Sequence, residues 1–407
     1  VLSTYIRFLP NQNVKYINKH AALDLIRFTP GGISRVALAQ RLALSRAAVT
    51  SIVNDLINTN LVRETKSRAA SNGRPPIILE INEERGYVAG VDMGASHLTV
   101  IISNFGMQVL AEKEEAFKIA DGPEDCIRQA DEALRSLLST LGLGLSDLAA
   151  IGAGVPGPTI ASAGMVLAPP IMPGWDRFPI RDTLEKLWGC PVSLNNDAEL
   201  GVLGEWACGA GRGEQNLAYI KVGTGIGAGL FIDGQIYRGA TGSAGEIGHM
   251  TIDENGPLCA CGNRGCLEAL AGGRAIVSMA RTAIQSGRRT ELAELPNLEA
   301  LSVMDISNAA ARGDLVAQEI LAEAGNQLGI ALTSLVNLFN PNIVVVGGGV
   351  AQTGDLFLEP IRKAVLKRSL PAAAHVVRIT TSLLGKRSTS MGAVVQALSI
   401  ALHKIAS

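Results

Sequence analysis

The chain has 407 residues, with 36 Lys and Arg against 37 Asp and Glu for a formal net charge of -1, and is 47% hydrophobic and 18% charged. At roughly 150 residues per domain this length predicts two or three packed units, and the composition excludes disorder as the main state. No uninterrupted apolar stretch approaches the ~18 residues of a membrane helix, and no basic-then-apolar leader opens the chain, so a cytoplasmic protein with no membrane partner is expected.

The near-neutral total divides unevenly. Val1 to Arg85 carries 12 Lys and Arg against 6 Asp and Glu, leaving 24 against 31 for the remainder. A +6 module joined to a -7 body points to nucleic acid as the partner of the first segment.

After a helix around Tyr16 to Phe28, Ile33-Ser34-Arg35-Val36-Ala37-Leu38 opens a second one. Ser34 caps its free N–H groups, and Ile33 and Leu38 occupy the positions of a hydrophobic staple. The device recurs with Ser45 as cap and Leu44 opposite Val49, followed by Val49, Ile52, Val53 and Leu56 on one apolar stripe. Two capped helices in tandem predict a helix-turn-helix whose last helix offers Ser45, Arg46, Ala47, Thr50, Ser51 and Asn54 to the major groove. The segment Arg63 to Leu79 predicts two short strands around a basic tip, Gly73-Arg74-Pro75-Pro76, a wing whose Arg74 suits a narrow minor groove. The bland readings are a protein-binding winged helix or a solvated basic loop.

Glycine punctuates the rest. A β-branched strand ends in Asp92-Met93-Gly94-Ala95-Ser96, and a second strand runs from Leu98 to Ser103. A carboxylate beside a Gly turn suits a metal or its water, and the Gly admits backbone N–H groups to phosphate. The turn Gly223-Thr224-Gly225-Ile226-Gly227-Ala228-Gly229 joins strands at Leu217 to Lys221 and Gly229 to Ile232, so it is no dinucleotide fingerprint, which needs a following helix. Gly347-Gly348-Gly349 ends an apolar strand of the buried parallel kind. With amphipathic helices at Pro123 to Leu141, Arg274 to Ser286, Leu315 to Phe339 and Met391 to Ile405, the pattern predicts two α/β lobes with a ligand cleft between them.

His249, then nine residues to Cys259-Ala-Cys261, then four to Cys266, supplies one imidazole and three thiolates, a complete tetrahedral shell with no open position. Structural zinc is the expectation; three free Cys beside a core His is the alternative. Gly262 and Gly265 permit the tight loop. Glu246 and Glu268 bracket these ligands, and Asn196-Asp197 follows a strand at Val192 to Leu194. Singly such residues are turns or surface acids; together they form the donor and acceptor mixture that sugar hydroxyls need. If one ring nitrogen of His249 binds the metal, the other is a fixed donor. Cys126, Cys190 and Cys208 are expected in the core, as are the three Trp, with Trp175 near enough to the cleft motif to be a stacking alternative.

These residues resemble the ROK family of sugar-responsive repressors and sugar kinases, in particular its repressor branch with the xylose, glucose and N-acetylglucosamine repressors. The resemblance spans essentially the whole chain: a winged helix ending in Gly73-Arg74-Pro75, the Asp92 turn, Asn196-Asp197-Ala198, GTGIGAG from Gly223, GEIGH ending at His249, CxCGxxGCxE from Cys259 to Glu268, and the Gly347 to Gly349 turn. It implies a winged helix-turn-helix over 1–82, then a two-lobed α/β actin-like ATPase (ribonuclease H-like) fold. The first lobe would cover 83–200, completed by 386–407, and the second, with the zinc-binding loop, 201–385. It implies further that Asn196, Asp197, Glu246, His249 and Glu268 contact a sugar, Asp197 matching the catalytic base of the kinases, and that His249, Cys259, Cys261 and Cys266 hold zinc. Asp92, Gly94, Gly223, Thr224, Gly225, Gly347 and Gly348 would be a vestigial nucleotide site.

Two departures matter. Kinase members carry a second Gly and a Thr where this chain has Ala95 and Ser96, followed by His97, which tells against kinase activity. Pro170 stands where many members have a sugar-binding Asn. The expected function is a repressor binding operator DNA as a dimer or tetramer, with a sugar in the cleft changing its DNA affinity. The alternatives are an ATP- and Mg-dependent sugar kinase carrying a DNA-binding domain, and a repressor switched by a protein partner.

Overall fold

A computed structural model of the chain describes residues 14–66 and 77–407. The basic tip with Arg74 lies outside the described residues. The N-terminal unit consists of α1 (Val14–Phe28), α2 (Arg35–Leu42), α3 (Arg46–Asn58) and an antiparallel pair, β1 (Val62–Lys66) and β2 (Ile77–Ile81). Both predicted caps form: Ser34 Oγ accepts from the Ala37 N–H at 3.1 Å and Ser45 Oγ from that of Ala48 at 3.2 Å. The chain bends by 116° between α2 and α3, with Ala43 in the left-handed region at φ 53°. The stripe Val49, Ile52, Val53 and Leu56 is buried as its spacing predicts.

The first sheet is built from β3 (Tyr87–Met93), β4 (His97–Asn104) and β5 (Val109–Ala116), then, after α4 (Pro123–Thr140), from β6 (Leu148–Val155). A small ribbon of β7 (Thr159–Ile160) and β8 (Met165–Val166) and the helix α5 (Ile180–Trp188) precede its last strand, β9 (Val192–Asn196). The order is β5-β4-β3-β6-β9, the first three antiparallel and β3, β6 and β9 parallel. Helix α6 (Asp197–Cys208) then leads to the second sheet, made of β10 (Leu217–Val222), β11 (Ile226–Ile232) and β12 (Gln235–Ile236). After α7 (Leu267–Ala271), α8 (Gly273–Gln285), α9 (Val303–Ala311) and α10 (Leu315–Phe339) comes β13 (Ile343–Gly347). Helices α11 (Asp355–Arg368) and α12 (Pro371–Ala374), strand β14 (Arg378–Thr381) and helix α13 (Ser388–Ala406) complete the chain. This sheet, β12-β11-β10-β13-β14, repeats the first: three antiparallel strands, then two added in parallel. Such a repeat aims the carboxyl ends of the parallel strands of both sheets at one crevice, where ligands of open α/β sheets bind.

Helices α6 and α13 cross between the sheets at backbone distance. A Cβ on Gly204 would lie 2.1 Å from the Ser388 carbonyl oxygen, and one on Gly392 1.7 Å from that of Leu200. Because α6 is covered on most sides it carries no amphipathic stripe, and its sequence does not announce it. The boundary expected at 200/201 falls inside it.

One buried cluster joins the N-terminal unit to the body. Leu23, Ile26, Leu38 and Leu56 share it with Val88, Ile101 and Phe105 of the first lobe and Val394, Leu398 and Leu402 of α13. Arg27 is buried there, donating to the Val395 carbonyl and to Ser399 Oγ at 2.7 Å each. Among the described residues no single helix is long and apolar enough to cross a membrane. The expectation of three core cysteines is corrected: Cys126 is buried, but Cys190 and Cys208, at the ends of α5 and α6, are half-buried at the edge of the packing. Trp175 is fully buried with its indole N–H on the Ile119 carbonyl at 3.1 Å, so it packs and offers no face to the cleft.

Candidate functional site

A cavity of about 1070 Å³ opens between the lobes. Asp92 enters it from the end of β3, Asn196 from the end of β9, Asp197 from the first turn of α6, and Lys221 from the end of β10. Glu246, His249 and Glu268 reach it from the segment after β12 and from α7. The structure therefore gathers all five residues expected on a sugar, although they come from three separate stretches of chain.

Asn196 is the N-cap of α6: its Oδ1 accepts from the N–H groups of Ala198 at 2.8 Å and Glu199 at 3.3 Å, and its Nδ2 donates to the Gly157 carbonyl at 3.0 Å. Those bonds fix the neighbouring Asp197, whose Oδ2 accepts from Lys221 Nζ at 2.8 Å, both side chains being 15% exposed. The Asp197 carbonyl accepts from Thr389 Oγ1 at 3.1 Å, tying the site to the first turn of α13. Glu268 Oε2 accepts from the Ile226 N–H at 3.0 Å and would lie 2.1 Å from a Cβ on Gly225, so a side chain there would displace this carboxylate. Burial pushes the Glu246 carboxyl pKa up; His249 opposes the shift, and Asp197 and Glu268 reinforce it. Carboxylates thus converge on this half of the cleft, an arrangement that suits the donor hydroxyls of a polyol.

The Sγ atoms of Cys259, Cys261 and Cys266 and a ring nitrogen of His249 all lie within 4.8 Å of one another, a group that could hold a metal ion. Cys261 and Cys266 Sγ are 3.7 Å apart, and Cys259 Sγ is 3.8 Å from His249 Nδ1. A tetrahedron with metal–sulfur bonds of about 2.3 Å has edges of about 3.8 Å, which these two pairs match. Nδ1 faces the thiols, and Nε2 is left toward the cleft, 3.9 Å from Glu246 Oε2.

Of the glycine turns, Gly223, Thr224, Gly225 and Gly348 line the same cavity. Gly94 sits under the His97 ring, where a Cβ would meet it at 2.5 Å, and Gly347 packs against Tyr219. Asp92 is buried, with Oδ2 3.3 Å from His97 Nε2. Pro170 also lines the cavity, and it offers no side-chain hydrogen bond.

On α3, Ser45, Arg46, Ala47, Thr50, Ser51 and Asn54 are all exposed, opposite the buried stripe. Arg35 of α2 braces this face, donating to Asn54 Oδ1 at 3.1 Å and to Glu64 of β1 at 2.8 Å.

Sequence reasoning missed Lys221, the covering role of His97, and Glu199, which is buried and bonded to Arg238 at 3.1 Å. One signal for Lys221 was present: it is the single charge in the apolar strand Leu217–Val222. Buried lysines are rare unless paired.

The ROK family profile matches residues 88–400. A xylose repressor of Caldicellulosiruptor bescii is 32% identical over 386 residues, 95% of this chain and 96% of that protein. A solved ROK family transcriptional regulator, a homologue of the Escherichia coli Mlc protein, is similar with a TM-score of 0.82 and 29% identity, over 97% of this chain and 98% of that one. A ROK family glucokinase from Streptomyces griseus, solved with glucose and AMPPNP, covers 77% of this chain and 99% of its own, with a TM-score of 0.68 and 30% identity. The glucokinase matches the two-lobed body, and the repressors match the N-terminal unit as well; by residues 88–400 and by these relatives, the chain belongs to the ROK family.

Proposed function

We propose that this chain is a sugar-responsive transcriptional repressor. The observation that carries the reading is the continuous packing from cleft to reader: Asp197 is bonded to Thr389 in the first turn of α13, and Arg27 of α1 is bonded to Val395 and Ser399 further along α13. Helices α2 and α3, bent by 116°, have the geometry of a helix-turn-helix, with α3 as recognition helix and β1–β2 as the wing. Repressor relatives matching 95% or more of the chain support the same assignment. The reading covers residues 1–82 as the DNA-binding part and the two lobes as the sensor.

In this reading a dimer sets two α3 helices in successive major grooves, ~34 Å apart. A monosaccharide in the cleft is held by Asn196, Asp197, Glu246, Glu268 and the outward Nε2–H of His249. It changes operator affinity only through differential affinity for two lobe arrangements, which α13 passes to α1. Zinc on His249, Cys259, Cys261 and Cys266 is structural, since four protein ligands leave no open position; its work is to orient the His249 ring. Selection of duplex DNA from a random pool by the purified chain, followed by titration of the selected site with pentoses and hexoses, tests the proposal. Sequence-specific binding that a sugar shifts supports it; no selected sequence overturns it.

A further inference from the structure

Phosphoryl transfer from a nucleoside triphosphate needs a divalent cation bridging phosphate oxygens, held by carboxylate. This inference rests on the sugar-site reading and concerns the space beside that site, where Asp92 would have to serve. Three observations bear on the fit. Asp92 is 1% exposed, and its Oδ2 is engaged by His97 Nε2 at 3.3 Å. The His97 ring covers the Gly94 turn so closely that a Cβ there would meet it at 2.5 Å. Most directly, an ammonium already pairs with Asp197: Lys221 Nζ is 2.8 Å from its Oδ2. Burial disfavours its charge, but Asp197 first and Asp92 second outweigh that cost and hold its pKa above the ordinary lysine value.

The placement is built into the sheet. Lys221 is opposite Gly347 of β13 and Gly227 of β11, at the carboxyl end of the central strand. Two side-chain-free neighbours leave its stem a clear path toward α6. On the same face two residues earlier, the fully buried Tyr219 fills the space beneath.

We propose that Lys221 is a tethered cation occupying the place of a nucleotide's divalent metal, so that this cleft takes a sugar but no metal–nucleotide. A dication close to this ammonium meets repulsion in a poorly screened site; of the two Asp92 oxygens, Oδ2 is engaged by His97, and Oδ1 is buried with no hydrogen-bond partner among the described residues. The pairing also changes what Asp197 does. One oxygen, Oδ2, is held by the ammonium, so Asp197 presents Oδ1 as a fixed acceptor for a sugar hydroxyl. Mg²⁺ therefore does not fit the residues present, in spite of the intact turns at Gly223 and Gly348.

Calorimetric titration of the full-length, zinc-loaded chain with AMPPNP, with and without millimolar Mg²⁺, tests this. For the parent chain, Mg²⁺ is expected to change AMPPNP affinity less than about twofold; for Lys221→Met it is expected to raise affinity about tenfold or more. Lys221→Arg, which keeps the charge, is expected to behave as the parent. A parent affinity that Mg²⁺ raises tenfold, or ADP release by the parent with any sugar, overturns the proposal. Should Lys221→Met not fold, the parent and Lys221→Arg titrations still decide. Sugar binding measured on the same samples separates the two readings: a parent that binds sugar and also responds to Mg²⁺ refutes the tethered cation alone, and one that binds neither refutes the sugar site alone.

Discussion

Replacing Arg27 with Met perturbs the joint between reader and sensor without opening a cavity. The guanidinium makes two hydrogen bonds of 2.7 Å to α13 and lies 4.5 Å from the centroid of the Phe28 ring. Bonds from a charged donor contribute about 1.5–3 kcal/mol each, and the ring contact about 0.5–2 kcal/mol. Against these stands up to ~2 kcal/mol of lost rotamer freedom, leaving a net contribution of roughly 3 kcal/mol to docking, about 150-fold in an equilibrium constant. Coupling between two sites in one protein is typically about 1–3 kcal/mol, so a loss of this size is enough to uncouple them. Arg27→Met is expected to bind sugar as the parent does while the ratio of operator affinities with and without sugar falls toward one, read by fluorescence anisotropy. Calorimetry is expected to show the N-terminal unit unfolding ahead of the body. A variant that keeps the full parental ratio refutes α13 as the link.

Other consequences follow from the same geometry. Cys261→Ser removes one of four donors, so metal content measured by atomic emission and thermal stability should both fall; full occupancy would mean the ligands are misassigned. Arg46→Ala should weaken operator binding by about 1–3 kcal/mol with sugar binding intact, and loss of both in titrations would indicate misfolding instead. Arg74→Ala should weaken binding at matched salt through the minor groove, and unchanged affinity would remove that residue from the interface. Leu402→Ala, in the shared cluster where Leu402 is 1% exposed, should cost about 2–5 kcal/mol in denaturant unfolding; a cost under 1 kcal/mol would mean the reader is not packed on α13.

What was legible in the sequence was local. Ser34 and Ser45 announced their helices because a cap and a staple involve residues within five positions, and the metal group announced itself because three of its four donors fall within eight positions. The two lobes were legible as strands flanking glycine turns. What was not legible depended on contacts between distant stretches. Asn196 reads as a sugar ligand in a motif, yet its amide caps α6. Lys221 lies 24 positions after Asp197 and meets it only because β10 ends beside the first turn of α6. Helix α6 itself escaped notice because close crossing at Gly204 and Gly392 buries it on most sides, which erases periodicity. The shared core was hidden for a similar reason: α1 and α13, at opposite ends of the chain, each show only an apolar face and no sign of which face it meets.

The central claim is that sugar in the cleft and DNA on α3 are linked through one molecule, and operator binding titrated with and without sugar, for the parent and for Asp197→Asn, tests it most directly. The account predicts a sugar-dependent shift in the parent that Asp197→Asn abolishes, with operator affinity in the absence of sugar retained. An identical shift in both proteins, or none in the parent with a sugar it demonstrably binds, would contradict it.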